Sequence, residues 1–214
     1  MPFSFFFEFP SFPVITKQAV DRGEIPDDAA TFCDILRAVY FKSNVMRKER
    51  DAWFFFAGDG LMLRFDGTTM RYLGPDERSM LMLLLKVLEA SGTATGSAAS
   101  DQPWRESTPG LSWCLEASIE GGIERFASEH PRARCVRPEF VATTQPSDIV
   151  LRIPAELRTP EGLDEFGFLF AGESGSREVI SIPVRYVSDS TAFKILILNL
   201  IEDNFPATQP CKQT

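Results

Sequence analysis

The sequence predicts an α/β fold with a mainly parallel sheet, and three observations predict it. Strand-like apolar runs alternate with helical stretches along the chain, the order that builds parallel sheets through crossover helices. Trp53 to Ala57 is a short, continuous aromatic run, the pattern of a strand covered on both faces. Met80 to Leu85 is apolar nearly all round, which places its helix centrally rather than at the periphery. At 214 residues, 44% of them hydrophobic, the chain is long enough to bury a full core, and residues 1–214 read as one domain.

The elements follow in order. Phe3 to Phe9 reads as a buried first strand. Met1 to Val14 is rich in phenylalanine but carries Glu8 and three prolines and lacks a basic leader, unlike a signal peptide. Residues 28–44 place Ala29, Phe32, Cys33, Leu36, Val39 and Tyr40 on one helical face, with Asp27 or Asp28 expected to cap it. Leu61–Phe65 and Met70–Leu73 suggest a hairpin about the turn dipeptide Asp66-Gly67. A helix is expected from Asp76 to Ala90, because Pro75-Asp76-Glu77 sets proline and two acids at a helix start, where the macrodipole favours negative charge. Residues 91–103 (SGTATGSAASDQP) have the composition of a flexible surface loop. Beyond it come a strand at Leu111–Leu115, a helix at Ile119–Glu129, a strand at Ile149–Ile153, a short helix at Glu161–Phe166, a strand at Val179–Ile182 and a closing helix at Ser190–Glu202. No internal repeat is apparent.

Composition narrows the function. A net charge of −8 argues against a simple nucleic-acid binder, since lysine and arginine supply phosphate affinity. Arg47, Lys48 and Arg50 nevertheless make a local basic cluster; read locally, they are the solvated cationic end of a helix. Overall acidity also fits a salt-adapted source. No run of about eighteen apolar residues is present, so no membrane span is expected. The four cysteines, Cys33, Cys114, Cys135 and Cys211, have neither Cys-x-x-Cys spacing nor a nearby histidine, so no metal is expected and reduced thiols in a cytoplasmic protein fit better. His130 is the only histidine, with no sign of a nucleophile beside it.

One string exceeds what local physics explains: Phe65-Asp66-Gly67-Thr68-Thr69-Met70-Arg71-Tyr72-Leu73-Gly74-Pro75-Asp76-Glu77-Arg78-Ser79. It resembles the F-x-G-x-x-L-x-x-x-x-P-D-E-R-S block of the tRNA pseudouridine N1-methyltransferases, knotted S-adenosylmethionine-dependent enzymes of the SPOUT superfamily. Further blocks fall in the family's order. Ser43-Asn44-Val45-Met46-Arg47-Lys48-Glu49 resembles S-H-x-I-R-R-D, and Trp104-Arg105-Glu106-Ser107-Thr108-Pro109-Gly110-Leu111 is similar to W-x-x-S-T-P-G-I. Ile180-Ser181-Ile182-Pro183 and the ending Asn199-Leu200-Ile201-Glu202-Asp203 resemble I-S-L-x-P and N-x-L-D. The resemblance covers about residues 30 to 203.

What the resemblance implies is a SPOUT-type knotted α/β domain with helices on both faces of the sheet, acting as a homodimer. The expected reaction is methylation of N1 of a pseudouridine in the tRNA T-loop. Asp76, Glu77 and Arg78 are then the catalytic candidates. Ser43, Arg47, Lys48, Trp104, Ser107 and Thr108 face the tRNA, with Trp104 and the 107–110 turn as a wall for a flipped base. S-adenosylmethionine falls to loops containing Ile153, Pro154, Ala155 and Glu156, then Ile182 and Pro183, then Ser190 and Phe193. The same residues have local readings: Asp76 as a cap, Glu77 and Arg78 as an exposed ion pair, Trp104 as a packed side chain before a turn.

The chain departs from the family at four places, one of them the Pro-rich N-P-P turn after the second strand, shortened here to Gly58-Asp59-Gly60. Asp27-Asp28-Ala29-Ala30 stands where the family has G-R-x-D. Leu151-Arg152-Ile153-Pro154-Ala155-Glu156-Leu157 stands for G-D-H-x-G, and Ser190-Thr191-Ala192-Phe193-Lys194 for A-N-H-C-I. A Cβ in place of a close-approach glycine, and a proline in place of an amide donor, both act against a bound ligand. The competing expectation is therefore a catalytically inactive relative that binds RNA or a protein partner through the same scaffold. A third is an enzyme of the same fold that acts on another nucleophile.

Overall fold

The computed structural model describes residues 3–43, 45–92, 102–131, 133–142, 165–170, 180–186 and 190–203. In chain order the elements are β1 (Phe3–Phe9), α1 (Lys17–Arg22), α2 (Asp27–Tyr40), β2 (Phe41–Lys42), β3 (Val45–Met46), β4 (Asp51–Phe56) and β5 (Leu61–Asp66). There follow α3 (Glu77–Ser91), β6 (Arg105–Thr108), β7 (Leu111–Leu115), α4 (Ile119–Glu129), β8 (Ala133–Ala142), β9 (Glu165–Phe170), β10 (Ile180–Tyr186) and α5 (Thr191–Asp203).

One eight-stranded sheet runs in the order β10-β8-β9-β1-β4-β5-β7-β6. From β10 to β4 every pairing is parallel. From β4 onward, β5, β7 and β6 pair antiparallel. The sheet is thus mixed, and its parallel part is the half the alternating pattern predicts. β2 and β3 form a separate small antiparallel pair.

Side-chain alternation assigns the two faces. Phe5 and Phe7 of β1, Phe54 and Phe56 of β4, and Leu63 and Phe65 of β5 join one buried cluster with Phe32 and Leu36 of α2, Leu81 and Leu84 of α3, and Ile195 and Leu198 of α5. Phe6, Trp53, Phe55 and Met62, the intervening positions, face α4 with Ile123 and Phe126. Helices therefore cover both faces. All six residues of β4 are buried, as its aromatic run predicts.

Arg50 is buried completely in the first cluster's side of the sheet, its guanidinium 4.9 Å and 5.5 Å from the Phe3 and Phe5 ring centres. It donates through Nη2 to Asn199 Oδ1 on α5 at 3.1 Å, and Asn199 Nδ2 donates to the Ala38 carbonyl of α2 at 2.7 Å. These bonds tie the last helix to the first half of the chain.

Several sequence expectations need correction. The expected hairpin partner, Met70–Leu73, is not a strand. Amides of the preceding loop are spent locally, with Thr69 and Met70 N–H donating to the Asp66 carbonyl and Thr68 N–H to Asp66 Oδ1. β5 instead forms its hairpin with β4 across residues 57–60. The helix expected over 28–44 stops at Tyr40, because Phe41 is extended and Ser43 turns back at φ 56° to bring β3 beside β2. Asp27 and Asp28 lie in its first turn, and Pro26 holds the cap position. Glu165 and Phe166, expected in a helix, begin β9, where alternating aromatics pair with β1 and β8. β8 was not expected, since its charged residues hide a strand flanked by partners on both sides. The last strand extends to Tyr186. The strand expected at 149–153 and most of the 91–103 loop lie outside the described residues.

Candidate functional site

The Phe65–Ser79 block folds as two units, a tight loop and a helix start. In the loop, Asp66 accepts from Thr68 N–H at 2.9 Å, from the Thr68 hydroxyl at 2.6 Å and from the Thr69 hydroxyl at 2.9 Å. Partial burial pushes the Asp66 carboxyl up, but these bonds, with the nearby Arg64 charge, outweigh it and hold the group below its ordinary range. Gly67 is required here: a Cβ would stand 2.7 Å from the Arg50 carbonyl and 2.8 Å from that of Lys48. Gly110 sits at φ 83° against the Met70 backbone. Asp66 N–H donates to the Gly110 carbonyl at 2.8 Å and Arg71 N–H to the Pro109 carbonyl at 3.1 Å. From beneath, the hydroxyl of the fully buried Tyr40 donates to the Phe65 carbonyl, and burial pushes its phenol well above the usual range.

These contacts bring three separate sequence blocks to one place. Lys48, Thr68, Thr69, Met70, Arg71 and Pro109 line an open pocket of about 510 Å³. Lys48 from the S-H-x-I-R-R-D-like block thus stands beside Pro109 of the Ser-Thr-Pro-Gly turn.

The helix start is organised by Asp76. Its carboxylate accepts from Ser79 N–H at 2.8 Å, the bond that most lowers its titration, with the Ser79 hydroxyl and Arg78 acting in the same direction. The local reading of Asp76 as a cap therefore describes α3 correctly. Glu77 lies 3.7 Å from Arg37, which also donates to the Pro75 carbonyl. Arg78 pairs with Asp21 of α1 at 2.8 Å and is 64% exposed. Among the described residues no hydrogen bond or ion pair joins Asp76, Glu77 or Arg78 to the pocket.

The other substrate candidates divide. Ser43 is exposed, and Arg47 N–H donates to the Tyr40 carbonyl. Ser107 donates its hydroxyl to the Leu111 carbonyl at 3.3 Å. Thr108 is buried, with no hydrogen-bond partner for its hydroxyl among the described residues. Trp104 belongs to the α4 face: its indole N–H donates to Glu129 at 2.6 Å, and it meets Trp53 edge-on at 5.0 Å. Around it, Arg64 bridges Asp51 at 2.9 Å and Glu129 at 2.5 Å, and Nε2 of His130 lies 3.0 Å from Asp51.

Of the cofactor candidates, Ile153, Pro154, Ala155 and Glu156 lie outside the described residues. Ile182 and Pro183 are in β10, in register with Pro138 and Glu139 of β8. Ser190, exposed, precedes α5 and accepts from Lys194 N–H at 3.1 Å, and Phe193 lies in the first turn. Residues 187–189, between β10 and α5, lie outside the described residues. Among the described residues no group of three potential metal ligands occurs, and no helix is long and apolar enough to cross a membrane.

Sequence reasoning passed over Thr68, Thr69 and Arg71 as site residues because it placed them in or beside a strand. The signal was present in Asp66-Gly67-Thr68-Thr69, whose side chains favour self-bonded turns.

The chain is thus an α/β protein in which residues from three of the quoted motif blocks line one pocket. No family model matches the chain. It is similar to the tRNA (pseudouridine(54)-N(1))-methyltransferase of Natronomonas pharaonis, 32% identical over 115 residues, covering 53% of this chain and 54% of that protein. It is also similar to the protein of the same name from Haloferax volcanii, 34% identical over 97 residues, covering 45% of this chain and 46% of that protein. The chain spans about half the length of the curated relatives it matches. These similarities support the family resemblance drawn from the motifs.

Proposed function

We propose that this protein is an S-adenosylmethionine-dependent methyltransferase that modifies N1 of a pseudouridine in the T-loop of tRNA. The observation that carries the reading is the similarity, over about half of the chain, to two proteins named for that activity. The loop-lined pocket, with Lys48 at its rim, supports it as a place for RNA. The reading brings with it the knotted SPOUT topology, a homodimer and a cytoplasmic location.

S-adenosylmethionine supplies a methyl group on a sulfonium, already a strong electrophile, so the protein's task is chiefly positioning. Main-chain groups of the β10–α5 junction, with Ile182, Pro183, Ser190 and Phe193, and of the segment Ile153 to Glu156, would hold it. Arg47 and Lys48 hold the RNA backbone, with Ser43, Ser107 and Thr108 beside them and Trp104 supporting β6 from the other face. N1 of pseudouridine must lose its proton. Asp76, held ionised and spent on the α3 cap, is a poor acceptor for it. Glu77, with Arg37 3.7 Å away, is the better candidate to take the proton, and Arg78 to offset charge on the imide or a phosphate.

The test is transfer of a labelled methyl group from S-adenosylmethionine to a pseudouridine-containing tRNA transcript, with calorimetric titration of the donor. Transfer to N1 is expected. Arg78→Ala should abolish it while shifting Tm by less than about 4 °C, since an exposed ion pair contributes little. Absence of heat at millimolar donor with folded protein overturns the enzymatic reading.

A further inference from the structure

Four arginines among the described residues are engaged by acids: Arg37 with Asp34 and Glu77, Arg64 with Asp51 and Glu129, Arg78 with Asp21, Arg125 with Glu116. Lys48 and Arg71 are different. Both are exposed, both line the same pocket, and neither makes an ion pair among the described residues. The loop carboxylate, Asp66, accepts three bonds from Thr68 and Thr69 and forms no ion pair with Lys48 or Arg71 among the described residues.

The next residue carries a second, independent observation. Tyr72 stands at φ 67°, a conformation that a bulky side chain adopts only at a cost. The residue is 69% exposed, so core packing does not explain the strain. The ammonium of the exposed Lys86 lies 5.5 Å from the ring centre, the one ring partner of Tyr72 among the described residues. A strained backbone that presents an aromatic ring to solvent, one residue from an unengaged arginine, has the parts of a nucleotide site: a π-face for a base and cations for its phosphate.

We propose that Tyr72 is a base-stacking platform and that Lys48 and Arg71 bind the adjoining phosphodiester, so that this surface takes an unpaired, looped RNA nucleotide in preference to a paired one. This deepens the proposed function and rests on its RNA-binding part, but not on methyl transfer. Stacking on an aromatic needs an unstacked base, so duplex RNA satisfies the cations and leaves Tyr72 unused.

The test is fluorescence-anisotropy binding of two probes across a salt series: a short RNA stem-loop and a fully paired duplex of the same composition. Wild type is expected to prefer the stem-loop. Tyr72→Phe should bind as wild type. Tyr72→Gly, which relieves the positive φ and so keeps the fold, should weaken stem-loop binding by roughly 5- to 150-fold, the range for loss of one stacked base, and leave duplex binding unchanged. Lys48→Ala and Arg71→Ala should each weaken both probes and lower the slope of log affinity against log salt by about 0.7, the single-strand value for one phosphate. Wild-type stem-loop binding by Tyr72→Gly, or an unchanged salt slope in both cation variants, overturns this proposal and leaves the proposed function standing. Wild type that binds neither probe overturns both. Intact stem-loop preference without methyl transfer overturns the enzymatic reading and supports the present one.

Discussion

Asp66 and Asp76 show how two carboxylates in one block take different work from their neighbours. Asp66 knots a loop through Thr68 and Thr69, and Asp76 caps α3 through Ser79. Both titrate below their ordinary value in the folded chain. The unfolded chain therefore binds protons first as pH falls. The stabilisation from each is complete above the unfolded pKa and is lost as pH drops through the lower folded value. Asp76→Ala should cost about 1 kcal/mol at neutral pH, the usual worth of an N-cap, read by denaturant unfolding. The cost should be constant above about pH 5 and shrink below about pH 4. A cost that grows on acidification would contradict the cap assignment.

At the scale of elements, α5 is the test of how the two ends of the chain are joined. It packs on α2 through an apolar face that includes Ile195 and Leu198, and its one buried polar side chain among the described residues, Asn199, is spent on Arg50 and on the Ala38 carbonyl. Asn199→Ala removes the acceptor of a charge-assisted bond and orphans a buried carbonyl. It should cost about 2–4 kcal/mol in chemical denaturation. A cost under about 0.5 kcal/mol would show that α5 does not depend on this contact. The element scale also shows where sequence reading fails. Met70–Leu73 has the composition of a strand, yet Asp66 consumes the amides that lead into it, and β5 finds β4 across a four-residue turn instead. β8 was illegible because charged residues interrupt its apolar pattern, and its place between β9 and β10 is set by distant partners that leave no period in the sequence.

For the molecule as a whole, the two faces of the sheet give two buried clusters whose integrity can be followed through their thiols. Cys33 lies in the α2 face and Cys114 in the α4 face. Burial, above all, pushes both thiols up to about 12, which leaves almost no thiolate at neutral pH. Mass-mapped alkylation at neutral pH should find both unreactive in the native state. On addition of denaturant the two should become labelled over the same concentration range if both faces unfold together. Labelling of Cys114 well before Cys33 would show that the α4 face opens separately.

The candidate site was half legible. Lys48, Ser107 and Thr108 were chosen from motif strings some sixty residues apart, and the fold brings Lys48 to Pro109 at one pocket. Arg71 and Tyr72 lay in plain view inside the most telling block and were read as strand, because neither an unengaged charge nor a strained φ has a signature in composition.

Sequence alone determined the alternation of strands and helices, the all-buried β4, the start of α3 at a capping aspartate and the kinship of the Phe65–Ser79 block, all of which are local or pattern properties. Only the tertiary structure decided that the sheet turns antiparallel beyond β4, that Trp104 serves the α4 face, that Asp76 is committed to its helix, and that Lys48 and Arg71 line one pocket. Those outcomes depend on which distant groups compete for the same hydrogen bonds, charges and buried volume, and that competition is settled only when the chain has folded.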